Sequence, residues 1–180
     1  MTLILLTLAC SSVIPDTTSN PVDKLAGYAD VRLGQKVGDI VGLVRSPKDD
    51  NYTEKEEAYI RPADKAYFMM GSSLITANDV PTYAVRDGVL YSVRITVEDF
   101  AMLTFPTTGE PVYEVQPLLS DCRTLLEALT TLMGKPIEDN ETPFLDYTWS
   151  GDLSEISVRT YSLNSSRTCF YSTRMSKVSQ

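Results

Sequence analysis

The second half of the chain carries the feature that most narrows its possible folds, a one-sided helical stripe followed by three strand-like runs. Gly134 and Pro136 end the helix, because glycine accepts a left-handed cap and proline cannot continue the turn. Strands are predicted at 145–149, 155–161 and 167–173, between turn signals rich in Ser, Gly, Asp and Asn. The stripe has the i, i+3, i+4, i+7 spacing of an amphipathic helix and consists of Leu118, Cys122, Leu125, Leu126, Leu129, Leu132 and Met133.

The first half repeats this plan in a looser form. Strands are predicted at 66–75, 82–86 and 89–97, and Asp87-Gly88 forms a tight turn between the last two. We therefore expect an α+β fold of two tandem units, each a helix packed on an antiparallel β-meander. The units span 28–100 and 117–176 and are joined by a connector over 101–116. The helical stripe of the first unit is shorter and consists of Val37, Ile40, Val41 and Val44.

The N-terminal segment predicts a secretory leader. The apolar run from Leu3 to Ala9 is far shorter than the roughly 20 residues that a membrane-spanning helix needs. A cysteine and a stretch rich in Ser, Thr and Pro follow, which is the order of a signal peptide, a cleavage site and a tether. A buried strand is the alternative, since Leu, Ile and Thr suit strands.

The same segment resembles a bacterial lipoprotein signal, in which the cysteine is lipidated and becomes the mature N-terminus. It departs from the usual pattern at Thr7, where leucine is common, and no basic residue precedes the apolar run. The resemblance implies a signal peptide over 1–9, a lipidated Cys10 and a tether over 10–27. A serine after the cysteine implies sorting to the outer membrane, facing the periplasm. We therefore expect a lipid-anchored protein of the bacterial cell envelope.

The leader decides how the other two cysteines are interpreted, because an oxidising compartment favours disulfides. With Cys10 lipidated, Cys122 and Cys169 remain as a pair. A bridge between them would join the predicted second helix to a strand. Two unrelated buried thiols are the alternative, since free cysteine behaves as a small apolar residue. We expect the disulfide.

The composition disfavours several classes of function. The net charge is -8, from 16 basic and 24 acidic residues, and would repel the phosphates of a nucleic acid. The absence of histidine removes the commonest general base and the commonest metal ligand. The acidic loop around 49–57 and the pair Met69-Met70 lack the patterns of calcium and copper sites. We expect no enzyme activity, no cofactor, no metal and no small-molecule substrate.

A family resemblance suggests a class of role. A short helix ending near a proline, followed by a hairpin with Asp87, Gly88, Leu90 and Val93, stands behind a lipoprotein leader. This unit resembles the BamE (SmpA/OmlA) type of small envelope lipoprotein. Duplicated, it is similar to the beta-lactamase inhibitor protein fold, over residues 33 to 176. The resemblance implies docking on another envelope protein, or alternatively inhibition of an enzyme.

Strand alternation predicts the surface that would bind such a partner. It turns Thr148, Arg159, Tyr161 and Phe170 outward in the second half, and Arg86, Leu90 and Arg94 in the first. Aromatic residues and arginine are enriched at protein interfaces. The alternative is that strands favour aromatic residues in any case and that the arginines pair across strands. The partner-binding candidates are Arg94, Thr148, Arg159, Tyr161 and Phe170.

Overall fold

The computed structural model of the chain describes residues 20–46, 56–101, 120–141, 144–163 and 166–176. Within these ranges, one eight-stranded antiparallel sheet dominates the fold. Its strands in chain order are β3 (Val44–Arg45), β4 (Glu56–Ile60), β7 (Thr82–Arg86), β8 (Val89–Ala101), β9 (Ile137–Glu141), β10 (Phe144–Ser150), β11 (Ser154–Leu163) and β12 (Ser166–Met175). Two short ribbons flank the sheet, one of β1 (Gly27–Tyr28) with β2 (Val31–Arg32) and one of β5 (Tyr67–Met70) with β6 (Ser73–Thr76).

The strand order shows that the two halves of the chain share this sheet. The order is β3-β4-β7-β8-β12-β11-β10-β9, so the last strand of the first half pairs with the last strand of the second. That junction runs from Ser166 opposite Ala101 to Arg174 opposite Ser92. The expected α+β fold of two tandem helix-plus-meander units is therefore wrong. The described residues are mostly β-strand, and hydrogen bonding between β8 and β12 joins the two meanders edge to edge.

The predicted helix of the first half is also wrong. Val37–Asp39 form a short 3-10 turn, and Gly42 follows with a φ of 83°. A glycine in a helix interior costs about 1 kcal/mol relative to alanine, and this short stretch contains two, at positions 38 and 42. Ile40 is the member of the stripe that is buried, whereas Val41 and Val44 are exposed. The stripe therefore does not mark a helix.

Among the described residues, one long helix, α2 (Ser120–Met133), covers one face of the sheet. Its inner side carries Cys122, Leu125 and Leu129, which are fully buried. Cys122 is bonded to Cys169 in β12, with 6.1 Å between the two Cα atoms, so the structure contains the predicted disulfide. The hairpin β5–β6 lies beside α2, and its Phe68 ring is 5.6 Å from the ring of Tyr171 in β12. The second layer of the fold therefore consists of α2 and this hairpin.

The chain enters the fold through a helix of five residues, α1 (Pro21–Leu25). Asn20 caps it by accepting a hydrogen bond from the Val22 amide at 2.9 Å. Residues 20–26 of the predicted tether thus form α1 with its two caps, and residue 27 begins β1. Cys10, the leader over 1–9 and residues 102–116 of the connector lie outside the described residues.

Candidate protein-binding face

The candidate surface is the face of the eight-stranded sheet opposite α2, which we call the outward face. Residues directly opposite each other in neighbouring antiparallel strands share a face. Cys169 contacts α2 through the disulfide, so its neighbour Phe170 lies on the outward face. The strand register then assigns three cross-strand rows to that face. They are Phe144, Tyr161 and Thr168; Asp146, Arg159, Phe170 and Thr96; and Thr148, Ser157, Ser172, Arg94 and Thr82.

All five partner-binding candidates lie in these rows. The alternation also holds on the opposite face, where Trp149, Ile156, Val158, Cys169 and Tyr171 are buried. Their role in binding stays a prediction, while their common face is a property of the structure.

Three of the five candidates lie next to Phe144. We call this group the aromatic patch, and it consists of Phe144, Arg159, Tyr161 and Phe170. The Phe144 and Tyr161 rings are 5.0 Å apart between centroids with 39° between their planes, a separation typical of contacting aromatic pairs. The guanidinium of Arg159 lies 5.5 Å from the centre of the Phe144 ring. Phe144 keeps 37% of its surface exposed, so this edge of the patch is open to contact.

A cross-strand ion pair holds Arg159 in place. Its Nε and one terminal nitrogen each donate to a different oxygen of Asp146, both at 2.7 Å. The Arg159 side chain nevertheless remains 55% exposed. Such an exposed pair adds little to stability, typically below about 1 kcal/mol. Its main effect is to fix the plane of the guanidinium next to the aromatic rings.

Similar pairs continue across the outward face. Arg174 pairs with Glu155 at 2.6 Å, and the hydroxyls of Ser157 and Ser172 share a hydrogen bond of 2.8 Å. Cross-strand pairs of this kind are the usual unit of sheet stabilisation. The interpretation of the arginines as cross-strand partners is therefore correct for Arg159, and it does not conflict with a binding role.

The first half contributes a second arginine–aromatic contact. Arg86 lies over the Tyr91 ring at 3.9 Å and forms an ion pair with Glu56 on β4. The hydrogen bond to Glu56 raises the pKa of Arg86 above its ordinary value. Arg86 therefore stays charged in the physiological pH range.

Leu90 was expected on this face and is not there. The β7–β8 register shifts between Ala84 and Val85, so that Ser92 faces Ala84 while Leu90 faces Val85. Tyr91 is the extra residue of this bulge, and a bulge changes which side chains face each side. Leu90 is consequently fully buried in the core. Sequence alternation alone carries no signal for such an insertion.

Sequence reasoning also missed Phe144, Asp146 and Tyr91. Phe144 lies one residue before the predicted start of its strand, so it was left out of the alternation. Asp146 lies on the outward face by the same alternation that places Thr148 there. An acidic residue on that face of β10 was the sequence signal for an ion pair with Arg159. Regular alternation from Val89 would place Tyr91 on the buried face, whereas the bulge lets it contact Arg86.

Among the residues that the structure describes, no group of three or more Cys, Asp or Glu side chains is placed to hold a metal ion. In the same ranges no helix is both long and apolar enough to cross a membrane.

Comparisons with other proteins identify no relative of this chain. No protein-family model, no curated protein and no solved structure matches it. The resemblance to the BamE type therefore stays a prediction, and the two-unit architecture that it implied is replaced by the single shared sheet.

Proposed function

We propose that the chain is a non-enzymatic, lipid-anchored module of the bacterial cell envelope that binds another envelope protein through its outward face. The observation that carries the proposal is the aromatic patch, in which Phe144, Arg159 and Tyr161 lie together on the open side of the sheet. Tyrosine and arginine are the residues most often found at the energetic centre of protein interfaces.

The geometry of the patch favours binding because its parts are ordered before a partner arrives. Asp146 already holds the Arg159 guanidinium, and the Phe144 and Tyr161 rings already pack on each other. Association costs free energy when long side chains must be immobilised at an interface. A patch that is ordered in the free protein loses less on binding, so a modest area can support a specific contact.

The proposed location rests on the leader. An apolar run, a small residue and Cys10 precede the folded part of the chain. A lipid on Cys10 would confine the outward face to a membrane surface and raise its effective concentration near other envelope proteins. Metabolic labelling with a palmitate analogue tests this anchor directly. Labelling that is lost in Cys10→Ser supports it, and equal labelling of the two chains contradicts it.

Photo-crosslinking in intact cells tests the binding face. A photo-crosslinking phenylalanine derivative replaces Tyr161 in one chain and Tyr67 in a matched control. Tyr67 is 49% exposed and lies on the hairpin at the other side of the sheet. We expect one discrete crosslinked protein from position 161 and none from position 67. The same product should decrease when Phe144→Ser is added.

The outcomes also separate the two proposed roles. A crosslinked envelope assembly protein supports the assembly role. A crosslinked enzyme that loses activity when this chain is added in purified form supports the inhibitor role. Equal crosslinking from positions 161 and 67, or no product that depends on Phe144, contradicts the outward face as the binding surface.

A further inference from the structure

Three elements meet at one end of the sheet, where the β10–β11 turn lies. The Trp149 ring nitrogen donates to the Gly134 carbonyl at 2.8 Å, which places the end of α2 beside the last residues of β10. A Cβ added to Gly71, at the tip of the β5–β6 hairpin, would lie 3.5 Å from Cδ1 of Leu132. The hairpin tip, the last turn of α2 and the β10–β11 turn are therefore neighbours.

The N-terminal helix is attached at the same end. The Asp23 carboxylate accepts hydrogen bonds from the amides of Asp152 and Leu153, at 3.0 and 3.1 Å, and from the Ser154 hydroxyl at 2.6 Å. Asn20, the first described residue, caps the helix that carries Asp23. The chain that leads back to Cys10 thus leaves the fold at this end.

Large apolar side chains are exposed here, and we call them the apolar end: Met69, Leu74, Leu132 and Leu153. Their exposed fractions are 59%, 57%, 40% and 60%. Met69 and Leu74 are directly opposite each other in the hairpin, one residue pair before its tip. Apolar side chains that are gathered in this way usually mark a contact surface.

The spacing from Cys10 limits how far this end lies from a membrane. Ten residue steps separate Cys10 from Asn20, which span at most about 36 Å when fully extended. That length is close to the width of an eight-stranded sheet, about 34 Å for seven strand spacings. A lipid on Cys10 therefore holds Asn20, and with it the end of the sheet to which α1 is attached, within about 36 Å of the bilayer.

We propose that the apolar end rests on a phospholipid bilayer, with Leu153, Met69, Leu74 and Leu132 inserted among the lipid headgroups. This inference rests on the proposed anchoring of Cys10 and adds the orientation of the anchored protein. An apolar contact beside the lipid anchor buries further apolar area in the headgroup region and strengthens the attachment. With the ends of β10 and β11 towards the lipid, the outward face stays uncovered and accessible to a protein partner.

Hydroxyl-radical footprinting of tethered protein tests this orientation. The full chain, with its disulfide intact, is coupled through the Cys10 thiol to maleimide-lipid in phosphatidylcholine vesicles. The comparison is the same chain with Cys10 capped, in solution with vesicles of the same lipid. We expect oxidation of Met69 and Leu153 to slow about tenfold on tethering, because insertion among the headgroups removes most of their access to water. Labelling of Tyr161 and Val41 should stay unchanged.

A charged substitution provides the matched comparison. Leu153→Asp should return the oxidation rate of Met69 towards its value in solution, because a carboxylate at the turn opposes insertion. Val41→Asp makes the same chemical change at a side chain that is 88% exposed outside the apolar end, and it should leave Met69 protected. Equal labelling of Met69 in tethered and soluble protein, or protection of Tyr161 instead, would overturn the proposed orientation.

The design separates this inference from the proposed function. In the vesicle experiment, chemical coupling takes the place of lipidation by the cell. If Met69 and Leu153 are protected on vesicles but no palmitate label appears in cells, the natural anchor is contradicted and the orientation is not. A palmitate label in cells together with full exposure of Met69 and Leu153 on vesicles contradicts the orientation alone.

Discussion

Arg61 shows what a single buried charge contributes to this fold. Its side chain is 11% exposed and lies between two carboxylates, one of which, Asp64, is 4% exposed. Arg61 donates to Asp64 at 2.7 Å and to Asp30 at 2.7 and 3.1 Å. Tyr83 donates its hydroxyl to the same Asp64, and burial together with this hydrogen bond raises the pKa of Tyr83. The cluster joins the β1–β2 turn to the segment after β4.

Removing the cation should be costly because it leaves Asp64 buried without its main partner. We expect Arg61→Ala to lower the free energy of unfolding by about 3 to 5 kcal/mol, measured by urea denaturation. The control is Arg45→Ala, since Arg45 pairs with Glu57 where both side chains are well exposed, and its loss should cost less than about 1 kcal/mol. Similar losses for the two variants would contradict a structural role for the buried cluster.

Position 151 needs a glycine because the Asp23 carboxylate packs directly against its backbone. A Cβ at this position would lie 2.3 Å from Oδ1 of Asp23, the oxygen that accepts from Leu153 and Ser154. We expect Gly151→Ala to displace Asp23 and to lower the free energy of unfolding by about 1 to 2 kcal/mol. In the Asp23→Ala background the same substitution should cost almost nothing, which a double-mutant cycle measures. Additive losses would contradict this explanation.

At the scale of elements, sequence patterns succeeded where the structure is local. The stripe from Cys122 to Met133, the strand 82–86 and the Asp87-Gly88 turn were predicted correctly, and both turn residues have positive φ. The run 66–75 was predicted as one strand but forms the β5–β6 hairpin, because Gly71 takes a φ of 61° and reverses the chain. Local spacing predicts periodicity, but tertiary contacts decide whether such a run continues or turns.

The disulfide fastens α2 to the sheet. Cys122 and Cys169 are 47 positions apart, and closing a loop of this length removes enough chain entropy from the unfolded state to stabilise the fold by about 4 kcal/mol. We expect the double variant Cys122→Ala with Cys169→Ala to lose about 2 to 4 kcal/mol in urea denaturation. Cys10→Ala serves as the control and should match the unsubstituted chain. Equal stability of all three proteins would show that the bridge is dispensable.

At the scale of the whole molecule, the pairing of β8 with β12 is the feature that sequence reasoning could not supply. Each meander was recognisable from its own alternation, but alternation does not tell which edge of one meander pairs with which edge of the other. Val93 lies opposite Thr173 and Ile95 lies opposite Tyr171, and all four side chains are buried in one core. The candidate residues could be assigned to a face within each half, whereas their arrangement on one continuous surface depends on this junction.

A shared sheet predicts that the two halves unfold together. Trp149 is the only tryptophan of the chain and reports on the second half, whereas Val85 is buried in β7 of the first. Val85→Ala should remove about 2 kcal/mol of apolar burial. We expect Val85→Ala to shift the urea midpoint equally whether it is measured by Trp149 fluorescence or by far-ultraviolet circular dichroism. The reason is that a two-state transition gives every probe the same curve. A fluorescence midpoint that does not respond to Val85→Ala would mean that the halves unfold as independent units.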